Sequence, residues 1–234
     1  MKVPRSRRRG KSRVFRVNDF RAVGTSKIIK GDKPMNAKIT RFVHDAYRTA
    51  PLMEIKFEDG ATTLLPAFGG AYVGKIITYL KEGPTSDGDI RRLKDVSPGT
   101  EVYNIELKPN DGGKLVRAGG LNAKIIESTA DRVTLSLPSG SSVNLDPNCR
   151  VIVGKIANGG RTEKPFYKAG NKYHLIRARG RYWPMNAAVA MNAYEHKFGG
   201  KRRSTQHKAK TSSRRASPGG KVGAIAPRRT GARS

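Results

Sequence analysis

Cysteine is almost absent. Cys149 is the only one in 234 residues, so no intramolecular disulfide can form, and no CxxC or Cys/His spacing exists that could complete a four-ligand zinc site. A reducing, intracellular setting is the expectation that follows. Acids are scarce as well, with 18 Asp and Glu against 47 Lys and Arg for a formal net charge of +29. Such an excess is suited to a polyanion. No apolar run reaches the roughly 18 residues that would span a bilayer, and the basic N-terminal stretch lacks the apolar segment that a secretory signal carries after it. The chain is therefore expected to be soluble, or bound to something soluble, with no membrane partner. It also has no P-loop, no paired carboxylates in a basic segment and no metal-ligand cluster. The hydroxyls of residues 207–215 (HKAKTSSRR) sit in an exposed polar tail without the fixed geometry that nucleophilic catalysis needs. Enzyme, metal site and cofactor are all unexpected.

What is present is charge, and it is unevenly placed. Residues 1–38 hold 13 Lys and Arg and 2 acids, and residues 155–234 hold 20 and 2, whereas residues 39–154 hold 14 of each. The whole excess lies in the two ends. From residue 197 to 234 there are 12 cations and no acid; blocks of that kind repel themselves until a polyanion neutralises them. The 36% hydrophobic content supports a core, but not one running through the whole length.

The neutral middle shows short β-branched apolar runs broken by turn residues. Strands are predicted over 37–44, 51–57, 61–66, 74–80, 101–107, 122–128, 131–137 and 149–155, with turns at 58–60, 84–88, 98–99, 109–113 and 138–140. No ten-residue helical pattern competes. With no helical crossover to join parallel strands, the expected class is all-β, in two small barrels. The polar stretch from Leu80 to Val102 is the expected boundary, and periodicity alone does not separate oligonucleotide-binding-type from SH3-like barrels.

The basic ends read as RNA-contacting arms. Arg7, Arg8 and Arg9 lie in RSRRRGKSR (5–13), which has no apolar periodicity and is expected to be extended along phosphates. In residues 159–231, Arg and Lys alternate with aromatics and glycine pairs. Arginine supplies forked phosphate contacts, aromatics stack on unpaired bases, and glycine lets the backbone approach RNA closely. The candidates are Arg161, Lys172, Tyr173, His174, Arg177, Arg179, Arg181 and Trp183. Further along they are Asn192, His196, Gly199, Gly200, Lys201, Arg202 and Arg203, then Arg214, Arg215, Lys221, Arg228 and Arg229. Duller readings stand beside these: Trp183 and Tyr182 packing on a barrel, and residues 186–192 forming a short buried turn of helix. An architectural DNA-binding protein is the main rival class, but aromatic interleaving over 166–198 suits unstacked RNA bases better than duplex grooves.

Several motifs in order carry a resemblance: NGGRTEKPFYKAGNKYH (158–174), AVAMNAYEHKFGG (188–200) and GGKVGAIAPRRTG (219–231). Upstream, HDAYRTAPLMEIKFEDG (44–60), NIELKPNDGG (104–113) and LPSGSSVNLDPNCR (137–150) support it. From about Ala37 onward the chain resembles the universal large-subunit ribosomal protein family called L-two in bacteria, in its archaeal or eukaryotic form. Before that only a generic basic arm is visible. After the basic arm (1–36), which rests on charge alone, the resemblance implies an oligonucleotide-binding-type barrel (37–97), an SH3-like barrel (98–175) and an extended rRNA-binding segment (176–234) reaching toward the peptidyl transferase region. It implies large-subunit rRNA and neighbouring ribosomal proteins as partners, the small subunit and tRNA indirectly, no homo-oligomer, a ribosome-bound cytoplasmic location, and no cofactor beyond magnesium carried by the RNA. Where the family places an Asp-His pair, this chain has Glu195-His196, followed by Lys197-Phe198 in place of Pro-His. A proton-transfer role for His196 would tolerate such changes poorly, so an RNA-contacting histidine is the favoured reading.

Overall fold

The computed structural model describes residues 15–17, 22–200, 210–217 and 220–227. The expectations placed on Arg7, Arg8, Arg9, Lys201, Arg202, Arg203, Arg228 and Arg229 lie outside these residues. The chain forms two compact units, Phe20–Pro165 and a second made of Met1–Asp19 with Phe166–Ser234.

Phe20–Pro165 is all-β. Its strands are β1 (Met35–Val43), β2 (Leu52–Phe57), β3 (Thr62–Pro66), β4 (Ile76–Tyr79), β5 (Ile90–Arg92), β6 (Glu101–Tyr103), β7 (Ala123–Ser128), β8 (Val133–Ser136), β9 (Ser142–Leu145) and β10 (Arg150–Val153). They hydrogen-bond in the order β3-β2-β1-β4-β5-β10-β6-β7-β8-β9. The antiparallel β1–β2 and β2–β3 pairs and the β7–β8 and β8–β9 pairs follow the chain. A period of two puts Ala37 and Ile39 of β1 inside and Lys38 and Thr40 outside. All eight sequence-predicted strands are present. β5 and β9 are additional to them, and β5 falls inside the polar stretch read as a boundary. β4 and β5 meet in parallel, but through the single pair Tyr79 and Ile90, so ten residues of turn between them suffice where a longer ladder would require a crossover.

Two hydrophobic cores share this sheet, and β10 explains how. All four of its residues are buried, and alternation sends Ile152 into a core with Ile39, Ile55, Leu65, Ile77 and Tyr103, while Val151 and Val153 enter another with Val102, Ile125, Val133 and Leu135. β6 divides likewise, Tyr103 to the first core and Val102 to the second. A strand that reads as an unbroken apolar run is thus one buried on both faces.

Between the cores lies a buried ion pair. Arg150 Nη2 donates to Glu106 Oε1 at 2.6 Å and Arg150 Nε to Oε2 at 3.1 Å. The Glu106 carboxylate also accepts the backbone N–H of Gly112 at 2.9 Å and of Arg150 at 2.9 Å. Arg150 Nη1 reaches the Ile29 carbonyl at 2.6 Å and the Tyr79 hydroxyl at 2.7 Å. Residues 26–31 are held here too: Ile28 is buried and its N–H donates to the Gly112 carbonyl at 3.0 Å, and the Thr63 hydroxyl donates to the Lys27 carbonyl at 2.7 Å.

Cys149 is fully buried in the second core, where burial, seconded by the negative charge of Asp146, pushes its thiol up to about 11. Thiolate is the reactive form. The folded protein is therefore expected to leave Cys149 unmodified by a maleimide at pH 7, and denaturation to make it react completely; labelling of the native chain at the denatured rate would contradict this burial.

The other unit holds one α-helix, α1 (Ala169–Ala178), a 3₁₀ turn at Ala188–Ala190, and a parallel two-stranded pair, β11 (Thr211–Ser212) and β12 (Ala224–Ile225). The helix lies beyond the neutral middle, to which the expectation of no helical pattern applies, and the sequence gives no sign of it. Lys168 at its N-cap makes no side-chain hydrogen bond and none of its residues is buried, so neither a cap nor an apolar stripe announces it. The turn within 186–192 is present, but it buries no residue.

Candidate nucleic-acid interface

Among the described residues, every buried hydrophobic side chain lies between Ile28 and Ile156. Residues 166–227 thus carry the expected aromatics and cations without a core. Phe166, Tyr167, Tyr173, Met185, Tyr194 and Ile225 are exposed.

On α1, a spacing of four brings Tyr173 and Arg177 onto one face. Arg177 Nη1 donates to the Tyr173 hydroxyl at 3.2 Å, with its guanidinium carbon 5.9 Å from the ring centroid. The His174 ring meets the Tyr173 ring edge-on at 5.5 Å. Lys172 Nζ lies 5.5 Å from the half-buried Trp183 ring. Arg179 closes the helix through its backbone N–H to the Ile176 carbonyl at 3.2 Å, and Arg181 is exposed. The helix therefore gathers Lys172, Tyr173, His174, Arg177 and Trp183 as one cationic, aromatic cluster.

The turn around His196 is built from backbone. The Asn192 carbonyl accepts the N–H groups of Glu195 at 2.9 Å and His196 at 3.1 Å, and the Met191 carbonyl accepts that of Gly200 at 3.2 Å. Gly199 is required by close approach, since a Cβ there would lie 2.3 Å from the Met191 carbonyl oxygen. His196 Nδ1 accepts the Phe198 N–H at 3.1 Å, and burial lowers the imidazole's pKa. The ring thus spends one nitrogen, Nδ1, as an acceptor within the turn. Phe198 packs on Gly223, where a Cβ would lie 2.9 Å from Phe198 Cζ and 2.5 Å from the Lys210 carbonyl oxygen, at φ +84°. Lys197 Nζ donates to the Thr211 carbonyl at 3.3 Å. Arg214, Arg215 and Lys221 are exposed on the same segment. The segment's order thus rests on carbonyls, two glycines and one aromatic ring.

The strand-rich unit adds a feature that sequence reading missed. A cleft of about 360 Å³ is lined by Tyr47, Arg48, Thr49, Leu52, Pro66 and Arg117, among others. Arg48 pairs with Asp45, and its Nη2 donates to the Gly24 carbonyl at 2.7 Å. Arg117 donates to the carbonyls of Ser26 at 2.7 Å and Gly113 at 3.3 Å. It has no carboxylate partner among the described residues. Burial, and then the charge of Arg48, lower its pKa. A half-buried guanidinium offset by carbonyls alone, next to a second one, leaves positive potential for an anion. Arg161 stands beside this wall: its Nε donates to the Gly119 carbonyl at 3.1 Å, and the Gly119 N–H donates to the Thr49 hydroxyl at 2.9 Å. The one sequence signal for the cleft is the Asp45-x-x-Arg48 spacing; Arg117 is 69 residues away from Arg48 and no periodicity links them.

Among the described residues no group of three or more His, Cys, Asp or Glu is placed to hold a metal ion, and no helix is long and apolar enough to cross a membrane. Residues 86–220 match the family model described as Ribosomal Proteins L2, C-terminal domain. The chain belongs to that family. Members of the L2 family are ribosomal proteins, structural components rather than enzymes. The chain is similar to the large ribosomal subunit protein uL2 of Nanoarchaeum equitans, 46% identical over 226 residues that cover 96% of this chain and 95% of that protein. It is also similar to the protein of that name in Archaeoglobus fulgidus, 40% identical over 97% of each chain, and in Methanothermobacter thermautotrophicus, 42% identical over 88% of this chain and 85% of that protein. Coverage of 96% carries the likeness into the first 36 residues, where sequence alone offers a generic basic arm. The stretch matching the L2 model includes Arg117, Arg161, α1 and the His196 turn, while Arg48 lies outside it.

Proposed function

We propose that the chain is a structural constituent of the large ribosomal subunit that binds its RNA through the coreless basic unit and through the Arg48–Arg117 cleft. One observation carries this reading: residues 166–227 hold cations and aromatics in ordered turns while burying no large apolar side chain among the described residues. Packing of an apolar face normally supplies most of a fold's stability, so such a segment is completed by an outside partner, and its charge requires that partner to be a polyanion. Exposed rings among the cations favour RNA with unstacked bases over a duplex.

In this mechanism the two cores give a rigid body that docks by shape, and the cleft fixes one phosphate between Arg48 and Arg117. The basic ends release counterions along the RNA, and neighbouring ribosomal proteins cover what the RNA leaves. Peptide-bond formation belongs to the RNA. The protein's part is to hold that RNA, and through it to support tRNA placement and subunit association, bound to the ribosome in the cytoplasm. His196, with Nδ1 engaged by Phe198, serves the turn and the RNA contact rather than proton transfer.

The test is binding of the full chain to large-subunit RNA and to duplex DNA at one salt concentration, with an Arg48→Gln/Arg117→Gln variant alongside. The RNA should be bound much more tightly than the duplex and the particle should retain the chain through a high-salt wash. The double variant should bind the RNA about tenfold to a hundredfold more weakly per arginine removed, the scale of a hydrogen bond to a charged group. Equal affinity for the duplex would refute the reading.

A further inference from the structure

Residues 68–76 form a turn pinned at many points. The Gly69 N–H donates to the Lys155 carbonyl at 2.9 Å, the Gly74 N–H to the Ile39 carbonyl at 2.9 Å, and the Ile39 N–H to the Lys75 carbonyl at 3.0 Å. Beneath it Phe68 is buried, with Lys75 Nζ 4.5 Å from its ring centroid and donating to the Asp87 carbonyl at 3.0 Å. On this fixed frame three large apolar side chains are turned outward: Tyr72 at 62% exposure, Val73 at 57% and Ile76 at 65%. A mobile loop could fold such residues away; this one cannot. Three exposed large apolar side chains within five residues of one fixed turn mark an interaction site.

Its rim indicates what it meets. Ile76 pairs across the ladder with Lys38, whose Cε would lie 4.0 Å from a Cβ on Gly74, so the lysine stem lies along the turn. Lys155, exposed, stands at the Gly69 end. The nearby acid, Asp87, gives its carbonyl to Lys75 and holds its carboxylate against Gly154, where a Cβ would lie 3.0 Å from Oδ1. An apolar face with an aromatic ring and a cationic border fits a partner that is flat, apolar and anionic together. An unpaired nucleotide has that chemistry, its base offering the π-face and its phosphate the charge. An apolar protein segment would leave the lysines unmatched.

We propose that the 69–76 turn is a stacking platform for one unpaired nucleotide of RNA, with its base on the Tyr72 ring between Val73 and Ile76 and its phosphate toward Lys38. This rests on the RNA-binding reading above and adds a site within the charge-neutral middle of the chain. Stacking engages the π-face that every base has, so the platform accepts any base.

Full-length wild type and the Tyr72→Ala, Tyr72→Leu and Tyr72→Phe variants are to be compared for affinity to large-subunit RNA, with ultraviolet cross-linking at Tyr72. The wild type binding this RNA no better than duplex DNA would end the RNA reading itself. Given wild-type binding, Tyr72→Ala and Tyr72→Leu should each weaken it about tenfold to a hundredfold with the salt slope unchanged, since no charge is removed. Tyr72→Phe should bind like wild type, and the cross-link should fall on an unpaired nucleotide. Tyr72→Leu keeps apolar bulk, so its weaker binding separates stacking from any effect of Tyr72→Ala on folding. The platform is overturned if Tyr72→Leu binds like wild type, if the cross-link falls within a duplex, or if the variants bind naked RNA normally and lose only a neighbouring protein from reconstituted particles.

Discussion

Arg150→Met should destabilise the strand-rich unit by about 3–5 kcal/mol, the scale for removing one partner of a buried ion pair. The effect has little to do with the bare attraction between the two charges. Glu106 would remain fully buried, keeping its hydrogen bonds from the N–H groups of Gly112 and residue 150 but missing the fork that Arg150 Nη2 and Nε supply at 2.6 and 3.1 Å. At the same time the carbonyl of Ile29 and the hydroxyl of Tyr79 would lose Nη1. Because Arg150 ties residues 26–31 to both cores, a local change becomes a global one. Urea unfolding of the variant measures it, and Arg150→Met/Glu106→Leu provides the control. Removing both charges eliminates the orphaned carboxylate, so the double variant should recover a large part of the stability that the single variant forfeits. A single-variant cost below about 1 kcal/mol, the range of an exposed pair, would mean that Glu106 is hydrated and the network carries little.

The same network shows why some of the fold is legible in the sequence and some is not. The eight predicted strands are visible because each buries side chains at a regular spacing between turn residues: Ala37 and Ile39 on β1, Ala123 and Ile125 on β7, the continuous run of β10. β9 escapes because Ser142–Leu145 buries Leu145 alone, and β5 because Ile90–Arg92 is short and two of its three residues are arginines. Arg91 is nonetheless buried, 3.6 Å from Asp89. A buried charge of that kind has no signature in hydrophobic periodicity; its partner makes it tolerable, and pairing is a tertiary fact. α1 is hidden for the opposite reason, having no apolar face to betray it.

The candidate site divides along the same line. Charge and aromatic content can be counted, so Lys172, Tyr173, Arg177 and Trp183 stand out in the sequence even though their clustering does not. The Arg48–Arg117 cleft and the Tyr72 turn lie where acidic and basic residues balance, and counting charge passes over both. What distinguishes Arg117 from other arginines of the middle is that carbonyls, and no carboxylate among the described residues, surround it. What distinguishes Tyr72 is a pinned backbone that keeps it exposed. Both are properties of geometry.

Removing residues 197–234 should change RNA binding more than any single substitution. The segment carries 12 Lys and Arg and no acid, while every buried hydrophobic side chain among the described residues lies upstream of it, so the strand-rich unit keeps its cores. Each phosphate that no longer meets a cation takes about 0.7–0.9 from the slope of log affinity against log salt. If half of the twelve cations engage phosphates, the slope becomes shallower by about 4–5, and a fourfold rise in salt, which costs the full chain roughly a thousandfold through these cations, costs the shortened chain nothing through them. Truncation also removes Phe198, Lys210 and Gly223, which order the turn around His196, so a charge-neutral control is required. Gly223→Val would disturb that packing while leaving all twelve cations in place. It should leave the salt slope near that of the full chain and affect the affinity modestly. A truncated chain whose slope matches the full chain's would show that residues 197–234 are no electrostatic grip, and would shift the weight of RNA binding onto the α1 cluster and the Arg48–Arg117 cleft.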